Sequence, residues 1–409
     1  MALRPILSSL RHHKLTAGLL VLQVALTLAI VANAAFMVAQ RLQRIHTPSG
    51  LAEQQLSLIR VEGTAKDENH QARHAADLDT LRRIPRVQAA VAVGWALPFS
   101  SSVNSYGVCP NEEALKRAMA ASSLDHSGCL SIDTYSGSQG FLQALGLRVI
   151  AGRDFTPDEY VTGDVPAIML TRAAARKFFG DKDPLGQVVF AGKHSSRVVG
   201  IVSDVVRPML RGDGSDGEVM LWPQLPDDNE TTYLLRSAPA DRDRVLAAAA
   251  TALQALDPDR LIPEAGRRTY TQMREDYFQR DTTMIGLLLS AGLGLLFVTA
   301  LGVAGLANFW VQQRTRTIGI RRAIGATRTD ILRYFQAENF LIVGGGVVLG
   351  MVLALVLNLL LMSRYELPRL PVWYLPTGAL ALWALGQLSV LAPALRASRV
   401  PPVVATRSV

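Results

Sequence analysis

Val311-Gln-Gln-Arg-Thr-Arg-Thr-Ile-Gly-Ile-Arg-Arg-Ala-Ile-Gly-Ala-Thr-Arg-Thr-Asp-Ile-Leu-Arg-Tyr-Phe335 carries six arginines and one acid. It separates two apolar runs, 284–310 and 340–362, that contain no Asp, Glu, Lys or Arg. Each run is long enough to cross a bilayer, which takes about 20 apolar residues. Short loops rich in Lys and Arg stay in the cytoplasm, so segment 311–339 is assigned to that side.

Two more charge-free runs flank this pair, at 16–39 and 373–395. Arg4, Arg11 and Lys14 precede or open the first, and Arg396, Arg399 and Arg407 follow the last. The pattern predicts four spans with 1–15 and 396–409 in the cytoplasm. The net charge of +8 is thereby distributed as topology and does not call for nucleic acid. Ala32-Asn-Ala34 resembles a signal cleavage site. The apolar stretch before it exceeds the roughly 7–15 residues of a signal peptide, so an uncleaved anchor is expected.

Residues 40–283 separate spans one and two and are expected outside, since long loops translocate regardless of charge. Leu56-Ser-Leu-Ile-Arg-Val61 alternates as a strand, 70–83 reads as a helix, and 87–97 is extended. Strand 232–236, helix 243–256 and a short strand at 260–263 repeat the order. Two such units suggest a split βαβ, porter-like subdomain at 50–97 and 226–265. The insert 98–225 forms a second subdomain, and 266–283 a helical stalk continuous with span two. The fold class is therefore an α-helical membrane protein with four transmembrane helices and a large α/β extracytoplasmic domain. A short outer loop, 363–372, joins spans three and four, with Trp373 and Tyr374 at the membrane edge.

Gly294, Gly302 and Gly305 in span two, and Gly344, Gly345 and Gly346 in span three, are candidates for close helix packing. Glycine merely tolerated in lipid is the other reading. Cys109 and Cys129 both fall in the outer segment. An oxidising compartment favours a disulfide between them, against two separate buried thiols.

The spans offer no ionisable residue for ion coupling; Asn33, Asn308, Asn358 and Gln387 are their strongest polar groups. No phosphate loop is present: Gly192-Lys193 is followed by His194 and lacks the upstream glycine. Energy is expected from a partner. His70 and His74, beside Asp67, Glu68 and Asp77, have a spacing that binds metals, but a solvated helix face is the expectation. Asp213 and Asp216 read as turn residues, and no nucleophile–base pair stands out, so no catalytic or metal residue is predicted. Thr327 and Asp330 form a variant capping box opening a short helix, 328–335, with Ile331, Leu332 and Phe335 on its apolar face. Such a basic amphipathic helix suits a protein partner or a membrane surface alike.

Arg314 to Leu332 resembles the pattern R-x-R-E-I-G-I-R-R-A-L-G-A-x-x-x-D-I-L of FtsX/MacB-type ABC transporter permeases. Glu338 matches an acid that opens the third span in that family. Ala394-Leu-Arg-Ala-Ser-Arg-Val-Pro401 is similar to the family's ending. Ala151-Gly-Arg-Asp-Phe-Thr156, Phe179-Gly-Asp-Lys-Asp-Pro-Leu-Gly-Gln187 and Val198-Val-Gly-Ile-Val-Ser-Asp204 resemble its core-domain signatures. Thr317 departs from the pattern, standing where the family has an acid, which puts that contact in doubt.

The resemblance implies the permease subunit of a mechanotransmission exporter in a bacterial inner membrane. The implied partners are an ABC ATPase dimer and a second permease, with a membrane-fusion adaptor and outer-membrane channel beyond them. ATP and Mg would sit on the ATPase, with no cofactor in this chain. Arg321, Arg322, Arg328, Ile331, Leu332, Phe335 and Glu338 would engage the ATPase. A lipoprotein-releasing permease, or an FtsX-like protein that activates cell-wall hydrolases, are the alternatives.

Overall fold

The structure, a computed structural model, describes residues 14–63, 69–124, 126–160, 167–191, 194–224, 229–365 and 369–399. Arg4, Arg11, Asp67, Glu68, Gly192, Lys193, Pro401 and Arg407 lie outside the described residues. The chain divides into two compact units, 46–280, and 1–45 together with 281–409.

The first unit is built on one 11-stranded sheet, in the order β11-β1-β10-β2-β4-β9-β6-β8-β5, with β3 beside β4 and β7 beside β8. Its first half holds β1 (Leu56–Glu62), α2 (His70–Arg82) and β2 (Val87–Val93). It also holds β10 (Glu230–Ser237), α6 (Arg242–Leu256) and β11 (Arg267–Thr269). Alternate residues of a strand face opposite ways. Ile59 and Val61 therefore pack with Leu78, Leu81 and Leu253 in one core. The strand expected at 260–263 is not one. Leu261 makes only an isolated bridge to Glu62, and the edge strand lies at β11. Pro263 has no N–H to give a ladder, so pairing resumes beyond it.

The second half contains β3 (Ser105–Val108), α3 (Glu112–Ala121), β4 (Leu130–Gly137), α4 (Phe141–Leu145) and β5 (Val149–Gly152). It continues with β6 (Ala167–Thr171), α5 (Arg172–Phe179), β7 (Val188–Ala191), β8 (His194–Val202) and β9 (Val219–Pro223). β4 runs parallel to β9 and β6 parallel to β8. The two halves meet through one ladder pair, Val93 opposite Gly137. Cys109 and Cys129 are bridged, and cover a small apolar cluster with Ala114 and Ala118. In Ala151-Gly-Arg-Asp-Phe-Thr156 the polar residues form a cap. Arg153 donates to Glu159 at 2.6 and 2.8 Å, and the Thr156 amide donates to Glu159 at 2.8 Å. The Arg153 guanidinium, chiefly, holds the Glu159 carboxyl down at about 2.

The helix face expected to be solvated is buried instead. His74 and Asp77 are both covered. Tyr233 donates to Asp77 at 2.6 Å and lies 2.7 Å from His74 Nδ1, while Thr231 lies 3.2 Å from His74 Nε2. Arg260 closes the network on Asp77 and Asp257. Burial pushes the Tyr233 phenol well above its usual range. Buried polar groups require such partners, and here they come from strands far away in sequence.

Among the described residues, four helices are long and apolar enough to cross a membrane. They are α1 (Lys14–Ile45), α7 (Tyr270–Gln313), α9 (Arg328–Tyr365) and α10 (Tyr374–Ser398). α7 is unbroken over 44 residues, since nothing between Tyr270 and Gln313 interrupts a helix. The second unit packs Leu20, Val24 and Leu28 of α1 against Val303, Val343 and Leu382. Polar groups tie the helices together. Thr27 and Thr299 hydroxyls lie 2.8 Å apart, and Asn33 donates to the Ala354 carbonyl at 3.1 Å. Such side chains act as interhelical links in lipid.

The glycines divide by direction. A Cβ at Gly346 would meet Val24 at 2.7 Å, and one at Gly350 would meet the Ala25 carbonyl at 2.9 Å. These two positions are four apart and share the α9 face against α1. Gly302 faces the Gln23 side chain, and Gly345 reaches Val21 only at 4.0 Å. Gly294, Gly305 and Gly344 have nothing within 4 Å, so within this chain they do not serve close packing.

Candidate coupling site in the arginine-rich segment

The segment folds into a helix and a tight turn between α7 and α9. α8 (Thr315–Ala323) was not foreseen from the sequence. Its nine residues include Thr317, Ile318 and Ile320, β-branched residues that lower helix propensity. The helix ends as the Ala326 amide reaches back to the Arg321 carbonyl at 3.0 Å, with Gly325 at φ +110°. Glycine is the residue that tolerates this conformation. Thr327 and Asp330 then cap α9 reciprocally: the Thr327 amide donates to Asp330 at 3.0 Å, and the Asp330 amide to Thr327 at 3.2 Å.

The expected short helix 328–335 is instead the opening of the 38-residue α9. Gln336-Ala-Glu-Asn-Phe340 contains no glycine or proline, so nothing stops the helix. This changes the fate of its apolar face. Ile331, Phe335 and Ile342 fall on one stripe of helical spacing. The stripe joins Trp310 and Ile318 in the core of the membrane unit, leaving Ile331 and Phe335 each 4% exposed. Leu332 is half-buried against the same core. These three are packing residues in this chain and not free anchors.

Glu338 also faces inward. It is buried and accepts two hydrogen bonds from Arg314 Nη1, at 2.9 and 3.1 Å. The pair ties the end of α7 to α9 across α8. Arg321, Arg328, Arg316 and Arg333 remain exposed, and Arg322 is half-buried. The Arg321 guanidinium lies over the Tyr334 ring at 4.9 Å. The apolar residues left open are Ile320 and Ile324, the latter 81% exposed. The surface is thus a basic helix and turn with Ile320 and Ile324 exposed in the last turn and C-cap of α8, beside a buried ion pair. Among the described residues no group of His, Cys, Asp and Glu could hold a metal ion.

Four apolar helices, a large α/β domain and a basic inter-helix segment fit a multi-pass membrane protein. The chain belongs to the MacB- and FtsX-like ABC transporter permease family. The MacB-like periplasmic core domain profile matches residues 15–255, and the FtsX-like permease C-terminal profile matches residues 289–402. The macrolide export ATP-binding/permease protein MacB of Sodalis glossinidius is 26% identical over 294 residues. That match covers 68% of this chain and 44% of the relative. An uncharacterized ABC transporter permease, YknZ of Bacillus subtilis, is 25% identical, covering 66% of this chain and 68% of that protein. The periplasmic region of MacB from Actinobacillus actinomycetemcomitans is a solved structure with 14% identity and a TM-score of 0.36. It covers 57% of this chain and 97% of that one. The chain spans less than half the length of the MacB relatives it matches.

Proposed function

We propose that this chain is the membrane subunit of a MacB-type exporter in a bacterial inner membrane. A separate ATPase dimer binds ATP and Mg and docks on the α8–α9 turn. The observation that supports this most is the exposed pair Ile320 and Ile324 in a segment whose Arg316, Arg321, Arg328 and Arg333 are also exposed. Buried apolar groups dominate small interfaces, and rim charges steer approach. The Arg314–Glu338 pair transmits the motion of the turn to α7 and α9. Work is done on substrate at the outer domain and not by carriage through the spans. A second permease packs on the uncovered apolar face of α7, a reading supported by the open Gly294 and Gly305 there.

The test is purification of the complex from its host membrane. The isolated chain should show no nucleotide turnover, and the complex should gain it from another polypeptide. Replacing Ile320 and Ile324 by Asp should release the ATPase while leaving the chain inserted. Retention of a fully active ATPase by that variant would refute the docking surface.

A further inference from the structure

The α/β unit contains a cleft of about 530 Å³ that the coupling reading leaves unused. Small-molecule sites typically enclose about 300–1,000 Å³. The cleft opens on the sheet face opposite α2 and α6. Leu58 and Arg60 line it, while their neighbours Ile59 and Val61 pack beneath the helices. It sits at the junction of the half-sheets, where Val93 and Gly137 meet.

Its floor is apolar and buried, formed by Leu58, Val93, Leu97 and Met273. Its rim is polar and nearly balanced in charge. Arg60 Nη2 lies 2.7 Å from Glu230 and 3.3 Å from Glu62, and Arg268 adds a second cation. Ser100, Ser102, Ser136, Thr232 and Gln224 add hydroxyl and amide groups. Trp95 lines the same cleft and is 70% exposed, a large aromatic left uncovered beside polar groups.

The wall carrying Ser100 and Ser102 is held under strain. Phe99 and Ser101 have φ of 63° and 60°. Left-handed conformations are uncommon for such residues and persist only where the surroundings enforce them; they cluster at ligand clamps. Here the Phe99 ring is buried against Tyr277 and Phe278, with the Arg274 guanidinium 4.6 Å above it. The loop is therefore pinned from behind, and the cleft is a shaped feature.

We propose that this cleft binds a neutral saccharide, either free or as the glycosyl part of a larger ligand. A sugar ring offers a C–H face to an indole and hydroxyls that both donate and accept. Trp95 supplies the stacking surface. Glu62 and Glu230 accept, Arg60 donates, and the serines, Thr232 and Gln224 do both. The balanced charge disfavours a strongly ionic ligand. A purely apolar ligand would leave the polar wall desolvated without partners. The inference stands apart from the coupling reading, and substitutions at Ile320 and Ile324 should leave it untouched.

The test uses the full chain in lipid nanodiscs. Saturation-transfer NMR would be recorded on maltose and on N,N′-diacetylchitobiose, with methyl glycosides distinguishing a free reducing sugar from a glycosyl group. At least one sugar should show saturable binding, at roughly millimolar strength for so small a ligand. Trp95→Ala should weaken it about tenfold, the scale of one stacking contact. Its thermal midpoint should not move, since the side chain is exposed. Ser102→Trp should fill the cleft and abolish transfer while Trp95 remains. Absence of saturable transfer from every sugar would overturn the proposal. So would transfer unchanged in both variants, or saturable binding confined to an apolar amphiphile such as octanol.

Discussion

Replacing Glu338 by Ala removes the buried acceptor of two hydrogen bonds from Arg314. Arg314 and Glu338 are 2.9 Å apart, with side chains 19% and 3% exposed. At an effective dielectric of about 20, unit charges at this separation attract by about 6 kcal/mol. Desolvation offsets much of that, so the pair adds little over an apolar substitute. Breaking it is different, because the Arg314 charge loses a buried partner while staying largely covered itself. That costs about 3–5 kcal/mol, and the partial exposure of Arg314 favours the lower end. The assay is thermal unfolding of the purified chain in nanodiscs, alongside ATP turnover of the assembled complex. Glu338→Ala should lower the midpoint and uncouple turnover from transport. Arg314→Met with Glu338→Leu should recover most of the stability without the coupling. A double-mutant cycle isolates the pair, since the residues touch. If Glu338→Ala unfolds at the wild-type midpoint and couples normally, the clasp has no role and the reasoning fails.

Three further outcomes are expected. Cys129→Ser should destabilise the α/β unit by about 3 kcal/mol, the chain-entropy value for a loop of this size, and reductant should have no further effect on the variant; denaturant titration reads this. Gly346→Leu should disrupt the α1–α9 contact and lower the yield of folded protein, whereas Gly294→Leu should leave the isolated chain folded, as size-exclusion profiles would show. The carboxyl of Glu159 is depressed from 4.5 to about 2 in the fold, so its stabilisation is complete above about pH 4.5 and is lost as pH falls toward 2; Glu159→Gln should flatten acid unfolding across that window, monitored by circular dichroism.

Much of the architecture is written in local patterns. Charge-free runs of sufficient length mark the four spans, because a bilayer demands satisfied backbone over a fixed thickness. The alternation from Leu56 to Val61 and the helical period from His70 to Arg82 lie within short windows, so β1 and α2 were legible. The cap at Thr327 and Asp330 was legible for the same reason.

What only the tertiary structure decided depends on partners distant in sequence. Arg314 and Glu338 are 24 residues apart, and nothing local says that they pair with each other before any outside protein. Ile331 and Phe335 make an amphipathic face in sequence, but a face is only an offer. Continuity of α9 into the membrane unit turns it inward and leaves Ile320 and Ile324 outside. His74 and Asp77 look like surface residues until Tyr233 and Arg260 arrive from distant segments to satisfy them. Periodicity and hydropathy determine which elements exist, because each is set by a few neighbouring residues. Which buried charge meets which, and which apolar residue stays uncovered, is set by packing, because desolvation is imposed only when the elements assemble.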